Sequence, residues 1–406
     1  MGIKPLEGIR VVELGTHIVV PIAARMMSDW GAEVIKIETP GGEQGRTTGR
    51  LAGIPQGDGE NVMYAVTNTG KEMISLNLKT DEGKEVLFRL LEDADVFMTN
   101  VRWGAIQRMG LDYDALHRRF PKLVYFHFTG FGYEGPDAGR PGMDNVAFFS
   151  ATGILADYPR IGDRPMMPFN AYGDTITSGS VLSGILAALR HRDRTGEGLR
   201  LTTSLYASGL WCNYYNIVAC QEAYGRYPMP RRLEDNTNPL GEIYECADGR
   251  WILLACNQTQ FDRLMKALEL DELVGDERYV SYAKMVENWE YLSKRLTEKF
   301  LARPSDEWEA RLQQADVIYQ KLIHASEIGQ SEQAWVNGYL THVEMANGIN
   351  AIVPNSPMQF FGWDRPDTKP AHSVGQDTGV ILKRLGYSDE EIDSLLESGV
   401  ACGQKS

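Results

Sequence analysis

Ile9-Arg10-Val11-Val12-Glu13-Leu14, a helical stretch from Pro21 to Trp30, and then Glu33-Val34-Ile35-Lys36-Ile37 carry the architecture of this chain. Two short apolar runs, separated by a helix long enough to cross back over them, read as neighbouring parallel strands. The alternation continues outward. Met73 to Leu78 reads as a strand, Gly83 to Leu91 as a helix, and Ala94 to Thr99 as a strand. A short helix at Ala105 to Met109 leads to a further strand at Leu123 to Phe128. Apolar strands joined by crossover helices imply a parallel sheet covered on both faces, hence an α/β fold.

Further along, Asn145 to Ala156 and Thr175 to Arg190 have helical periodicity, and Leu199 to Ser204 follows a turn as a strand. Ala207 to Tyr224 is apolar nearly all round, the pattern of a buried helix. The texture changes at Tyr227-Pro228-Met229-Pro230-Arg231-Arg232, which reads as a linker. A hairpin then opens a second unit, with Ile243 to Cys246 and Trp251 to Ala255 flanking Asp248-Gly249. Helices follow at Gln258 to Leu268 and Val286 to Phe300. Another begins at Ser305, whose capping box is incomplete because Trp308 stands where Glu is expected. Asn347-Gly348 marks a second hairpin, and two short helices, Thr378 to Leu385 and Ser388 to Ser398, end the chain.

The 406 residues suffice for two domains with separate cores. A formal net charge of −14 argues against nucleic acid or an anionic membrane as the main partner. Basic side chains must then be concentrated locally if the ligand carries phosphate. Cys212, Cys220, Cys246, Cys256 and Cys402 are scattered and odd in number, which fits reduced thiols better than disulfides or a zinc site. The opening residues lead straight into a strand without a signal-like apolar run, and no stretch reaches the length of a membrane span. The expectation is a soluble cytoplasmic protein.

The usual signatures of a nucleotide-binding sheet are missing. The first strand ends in Glu13-Leu14-Gly15-Thr16-His17-Ile18, not the dinucleotide glycine fingerprint, and neither a P-loop nor a G-x-S-x-G elbow occurs. The seven histidines show no paired metal-ligand spacing, so no metal is expected. His127 lies inside an apolar strand and reads as a core residue. His17 follows the first strand, at the edge where such sheets bind ligands, and is either a site residue or an ordinary loop histidine.

Ala171-Tyr172-Gly173-Asp174-Thr175-Ile176-Thr177-Ser178-Gly179 sets one carboxylate between a Pro-rich loop (Arg164 to Pro168) and a run of small residues. Gly173 permits a sharp turn before the Asp. Asp174 is then either the N-cap of the following helix or a nucleophile that forms an acyl-enzyme. Lys79, Asn100-Val101-Arg102 and Arg108 sit at or just past the carboxyl ends of predicted strands. They form a cationic mouth for phosphates or remain solvated surface charges.

Several segments resemble the family III CoA-transferases of the formyl-CoA transferase and carnitine CoA-transferase type. They are Pro5 to Leu14, Pro21, Trp30-Gly31-Ala32-Glu33-Val34-Ile35-Lys36-Ile37-Glu38, Leu76-Asn77-Leu78-Lys79-Thr80, Ala94-Asp95-Val96, Arg108 to Tyr113, Thr129-Gly130-Phe131-Gly132, and the tail from Val374 to Ser388. The matches run in order along nearly the whole chain. The resemblance implies that Asp174 is the nucleophile and that CoA contacts map onto Ile18, Leu76, Lys79, Asn100, Arg102 and Arg108. It implies a large Rossmann-like domain of residues 1–225 completed by residues 331–406, a smaller α+β domain at 226–330, and two chains threaded as an interlocked homodimer. The substrates would be an acyl-CoA and a small carboxylic acid, with no tightly bound cofactor. Oxyanion stabilisation would come from backbone N–H groups near Gly173.

Two departures matter. Some members carry a run of glycines where this chain has Glu234-Asp235-Asn236-Thr237-Asn238-Pro239, so a glycine lid is not implied. The related α-methylacyl-CoA racemases have G-H-D-I-N-Y, with the His as proton donor, where this chain reads Gly142-Met143-Asp144-Asn145-Val146. A thioether moves no proton, which places the racemase second. A catalytically silent CoA-binding subunit is the non-enzymatic alternative. The stretch from Gly142 to Phe149 is most similar to transferases acting on 2-hydroxy acids such as phenyllactate or 2-hydroxyisocaproate, which feed a 2-hydroxyacyl-CoA dehydratase.

Overall fold

A computed structural model describes residues 2–48, 61–169, 171–224, 236–345, 348–363 and 368–403. The linker expected at 227–232, and Glu234 and Asp235, fall outside them. Six parallel strands, β1 (Arg10–Leu14), β2 (Glu33–Glu38), β3 (Glu72–Leu76), β4 (Val96–Thr99), β5 (Val124–Thr129) and β6 (Arg200–Ser204), form one sheet in the order β3-β2-β1-β4-β5-β6. A two-residue strand near the chain end, Ala401–Cys402, pairs antiparallel with β3. The strand order reverses between β1 and β4, and in such sheets the crevice beyond the carboxyl ends at that point receives ligands.

Strand side chains alternate between two cores. Val11, Val34 and Val96 face one, with Val20, Ala23, Ala24 and Met27 of the helix Val19–Asp29 and Val181, Leu182 and Ile185 of the helix Tyr172–Thr195. Val12, Ile35 and Phe97 face the other, with Val86, Leu87 and Leu90 of the helix Asp81–Glu92 and Ile381 and Leu382 of the tail helix Thr378–Arg384. Period-two alternation along each strand is what lets one sheet serve both layers.

The carboxyl end of β1 carries a buried ion network. Glu13, wholly inaccessible, accepts from Lys36 Nζ at 2.8 Å and Lys71 Nζ at 2.7 Å. Lys36 also donates to the Gly15 carbonyl (2.7 Å), and Lys71 donates to the Pro21 carbonyl and Asn68 Oδ1 (2.8 Å each). Burial alone would raise the Glu13 carboxyl, but the two lysines outweigh it and hold it below its ordinary range. The network ties β1, β2 and the segment before β3 to the turn that leaves β1.

The chain divides into two compact units, one of Met1–Ala156, Met166–Tyr227 and Gln333–Ser406, the other of Asp157–Pro165 and Pro228–Glu332. The second has a three-stranded antiparallel sheet (Ile243–Glu245, Trp251–Leu254, Tyr319–Lys321) and its own core around Leu264, Met265, Phe300 and Trp308. The antiparallel hairpin Leu340–Glu344 with Asn350–Pro354 belongs to the first.

Two local expectations are corrected and a third is explained. Asn145 to Ala156 is not one helix: Asp144–Ser150 is a wide π-helical turn, followed by a single turn at Ile154–Asp157. The stretch from Ala207 is not a buried helix. It breaks at Asn213 into Leu205–Cys212 and Tyr214–Ala219, and Trp211 is 75% exposed, with Tyr214 and Tyr215 also outside. Ser305 does not need a capping box, because Asp248 in the hairpin turn accepts from both its N–H (3.0 Å) and its hydroxyl (2.8 Å).

Removing Glu13 takes the carboxylate from buried Lys71 and leaves buried Lys36 with the longer contact to Glu43 (3.5 Å). Glu13→Ala is expected to lower unfolding free energy by about 3–5 kcal/mol, read from the denaturant midpoint. A change within error would show that the lysines find other partners.

Candidate active site

The helix Tyr172–Thr195 is the element that presents Asp174. Near its end Arg192 pairs with Asp95, which directly precedes β4 at the amino edge of the sheet. At about 1.5 Å per residue its 24 residues span about 36 Å, whereas a five-residue strand spans about 17 Å. Its first turn therefore stands beyond the carboxyl edge. The N-cap is Ala171, at φ +71° and offering no side-chain bond. Asp174 lies inside the first turn, so the N-cap reading of it is ruled out.

The group that faces the helix start is Asp144. After β5 the chain leaves through Gly130 and returns through Gly142, and the two backbones touch. A Cβ on Gly130 would lie 2.6 Å from the Gly142 Cα, and one on Gly142 would lie 2.4 Å from the Gly130 Cα. This close approach delivers the wide turn Asp144–Ser150, with Asp144 only 7% exposed. The N–H groups of Ala171, Gly173 and Asp174 face its carboxylate, yet neither oxygen completes a hydrogen bond with full geometry. A Cβ at position 173 would sit 2.3 Å from Asp144 Oδ1 and 2.4 Å from Phe148 Cγ. Gly173 is thus required for contact, not for a sharp turn, since its backbone is helical.

Electrostatics follow from this packing. Burial first, and the neighbouring Asp144 second, push the Asp174 carboxyl up to about 7. Asp144 is also raised by burial, partly offset by the three amides. Near neutral pH Asp174 is a partly desolvated carboxylate in balance with its acid. Such a group is a stronger base than a solvated Asp and is suited to attack on a carbonyl. The amides expected to form an oxyanion site near Gly173 are instead directed at Asp144.

Of the residues expected to bind CoA, Lys79, Arg102 and Arg108 are exposed, and none has a carboxylate partner among the described residues. Lys79 lies three residues past β3, Arg102 is the N-cap of the helix Trp103–Met109, and Arg108 is in its last turn. Asn100, just after β4, accepts from the Thr16 N–H (2.9 Å) and donates to the Thr16 carbonyl (2.8 Å). That pairing closes the crevice floor where the strand order reverses, two residues before Ile18 and the helix it starts. Leu76 is different. Its side chain is fully buried in the core, so only its main chain is available to a ligand.

Two histidines complete the edge. His17 has φ +63°, and burial first and Lys36 second hold it below the usual imidazole range. His127 is buried as its apolar strand implied, with Nδ1 on the Tyr133 hydroxyl and Nε2 donating to the Val101 carbonyl at 2.7 Å. It braces the turn that carries Asn100 and Arg102. Asp144 was not singled out from sequence; the signal was the pair Gly130 and Gly142, whose contact only the folded chain reveals.

A sequence profile described as CoA-transferase family III matches residues 6–378. The (R)-2-hydroxy-4-methylpentanoate CoA-transferase of Clostridioides difficile is 36% identical over 397 residues, covering 97% of this chain and 99% of that protein. The cinnamoyl-CoA:phenyllactate CoA-transferase of Clostridium sporogenes is 32% identical over 392 residues, covering 96% and 95%. Among solved structures, a CAIB/BAIF family protein from Brucella suis superposes with a TM-score of 0.81 at 27% identity, over 95% of this chain and 100% of that one.

Two outcomes follow from the packing. An unfolded Asp titrates near 3.9, so a folded value of about 7 means stability falls as pH rises from about 4 through 7. Asp174→Asn should therefore melt higher than wild type at pH ~8 and alike at pH ~4; equal melting at both would remove the burial argument. Gly173→Ala should lower the melting temperature by several degrees, roughly the cost of an overpacked core site, and unchanged melting would show that Asp144 moves aside freely.

Proposed function

The chain belongs to CoA-transferase family III, and on that footing we propose that it transfers CoA from an acyl-CoA to a free 2-hydroxy acid with Asp174 as nucleophile. The observation that carries this reading is the carboxylate of Asp174, desolvated at the carboxyl edge of the sheet. The acceptor class is supported by the two relatives whose names specify 2-hydroxy-4-methylpentanoate and phenyllactate.

A carboxylate suffices for the chemistry. An Asp174 oxygen bonds to the thioester carbonyl carbon, the C–S bond breaks, and the electron pair leaves on sulfur. The CoA thiolate then attacks the aspartyl carbonyl of the mixed anhydride, releasing the donor acid and leaving an aspartyl-CoA thioester. The acceptor carboxylate attacks that thioester, expelling thiolate and forming a second anhydride. Thiolate attack on the acceptor's carbonyl yields the new acyl-CoA and restores Asp174. One thioester replaces another, so the exchange is nearly balanced in free energy. Lys79, Arg102 and Arg108 hold the phosphates, and Asn100 and Ile18 line the crevice between them.

Two chains forming an interlocked homodimer would cover the exposed apolar side chains of Trp211, Tyr214 and Tyr215, a patch unusual for a lone chain. We place the enzyme in the cytoplasm, serving a 2-hydroxyacyl-CoA dehydratase. Met143 is 60% exposed and cannot supply the proton a racemase needs, which keeps that alternative second.

Incubation with acyl-CoAs and hydroxylamine, followed by peptide mapping, should give a hydroxamate at Asp174, and Asp174→Ala should abolish transfer while still binding CoA. Full transfer by Asp174→Ala would end the reading. Lys79→Ala or Arg108→Ala should raise KM for the acyl-CoA about tenfold per lost charge-assisted contact, with kcat little changed. An equal rise with a phosphate-free thioester would exclude phosphate contacts.

A further inference from the structure

We propose that Asp144 is a positioning residue that drives acylation of Asp174: its buried carboxylate, fixed against the first turn of the Tyr172–Thr195 helix, repels the Asp174 carboxylate and loses that repulsion once Asp174 becomes a neutral anhydride or thioester. The inference rests on the reading of Asp174 as nucleophile.

A helix start needs only a modest acceptor, which Ser or Asn supplies at the surface. Here a full carboxylate is buried instead, pressed onto Gly173 with neither oxygen in a complete hydrogen bond. Burying a charge so is costly, and shape alone does not require it. Nor does a cation among the described residues neutralise it. On the Val19–Asp29 helix Arg25 pairs with Asp29, and at the far end of the Tyr172–Thr195 helix Arg192 pairs with Asp95. The Leu205–Cys212 helix, whose Gly209 packs on the Phe148 backbone, carries no basic side chain. On β5, His127 is engaged with Tyr133 and Val101. Among the described residues, Asp144 is the one charged side chain acting on Asp174.

The three amides favour charge on Asp144, whereas burial and Asp144 itself disfavour it on Asp174. Two carboxylates so placed take up protons as a pair, and the charge on Asp144 raises the Asp174 carboxyl. When the Asp174 oxygen bonds to the thioester carbon, its negative charge passes to the departing sulfur, away from Asp144. Repulsion present before the step and absent after it lowers the barrier.

The test follows two readouts in wild type, Asp144→Asn and Asp144→Glu. One is the infrared band of the protonated carboxyl that Asp174→Asn abolishes, titrated against pH without substrate. The other is the rate at which hydroxylamine captures activated Asp174 as its hydroxamate with a panel of acyl-CoAs headed by cinnamoyl-CoA. The expected result is a band midpoint lower by about one unit, a tenfold change in the ionisation constant, in Asp144→Asn, with Asp144→Glu close to wild type and capture slowed about as much in Asp144→Asn. A midpoint unmoved in Asp144→Asn overturns the inference while leaving the nucleophile reading intact. A midpoint that moves, with no capture at Asp174 in wild type from any donor, overturns the nucleophile reading and the acylation role with it. If Asp144→Asn does not fold, Asp144→Ser keeps a small acceptor and reads the same midpoint.

Discussion

The space beside Gly173 is the constraint on which the rest of this structure turns. Asp144 Oδ1 occupies the position that any side chain there would need. From this one contact follow the missing Cβ at 173, the burial of Asp144, the orientation of three helix-terminal amides, and the raised carboxyl of Asp174. Each would be a local oddity alone. Together they describe two carboxylates held close at the end of a long helix, where the dipole tolerates one negative charge better than two.

The sheet supplies what that pair cannot. Its order reverses between β1 and β4, and the turns leaving those strands are locked together by Asn100 and Thr16. Beneath them Glu13, Lys36 and Lys71 form a buried network that grips the Gly15 carbonyl, while His127 grips that of Val101. Rigid turns at a crevice floor, with Lys79, Arg102 and Arg108 unpaired among the described residues, suit an extended phosphate-bearing ligand. The long helix brings Asp174 to the same edge. The geometry is economical, since a carboxylate acting as nucleophile needs position and desolvation more than elaborate acid–base partners.

Much of this was legible in the sequence. Val11, Val12, Val34 and Ile35 announced a doubly covered parallel strand pair because each strand is apolar on both faces. Gly173-Asp174 stood out as a lone carboxylate among small residues. What could not be read depended on contacts distant in sequence. Gly130 and Gly142 are ordinary loop glycines until their backbones meet, so the sequence places Asp144 in a motif without showing what it faces. Leu76 looks like a site residue at a strand end, but whether its side chain faces core or crevice is fixed by register. Ala207 to Tyr224 has the pattern of a buried helix, but apolarity alone does not say what covers a helix. Trp211 shows the error, since an apolar face left open by its own chain is still apolar.

A nucleophilic Asp174 must pass an oxygen atom from acceptor to donor. If the acceptor acid is labelled with heavy oxygen in its carboxylate and turned over with an acyl-CoA donor, its attack on the aspartyl thioester leaves one labelled oxygen on the enzyme. Peptide mass mapping should find that label in the side chain of Asp174, and it should appear in the released donor acid on later turnovers. Labelled substrate consumed and new acyl-CoA formed, with Asp174 unlabelled, would contradict the account at its centre.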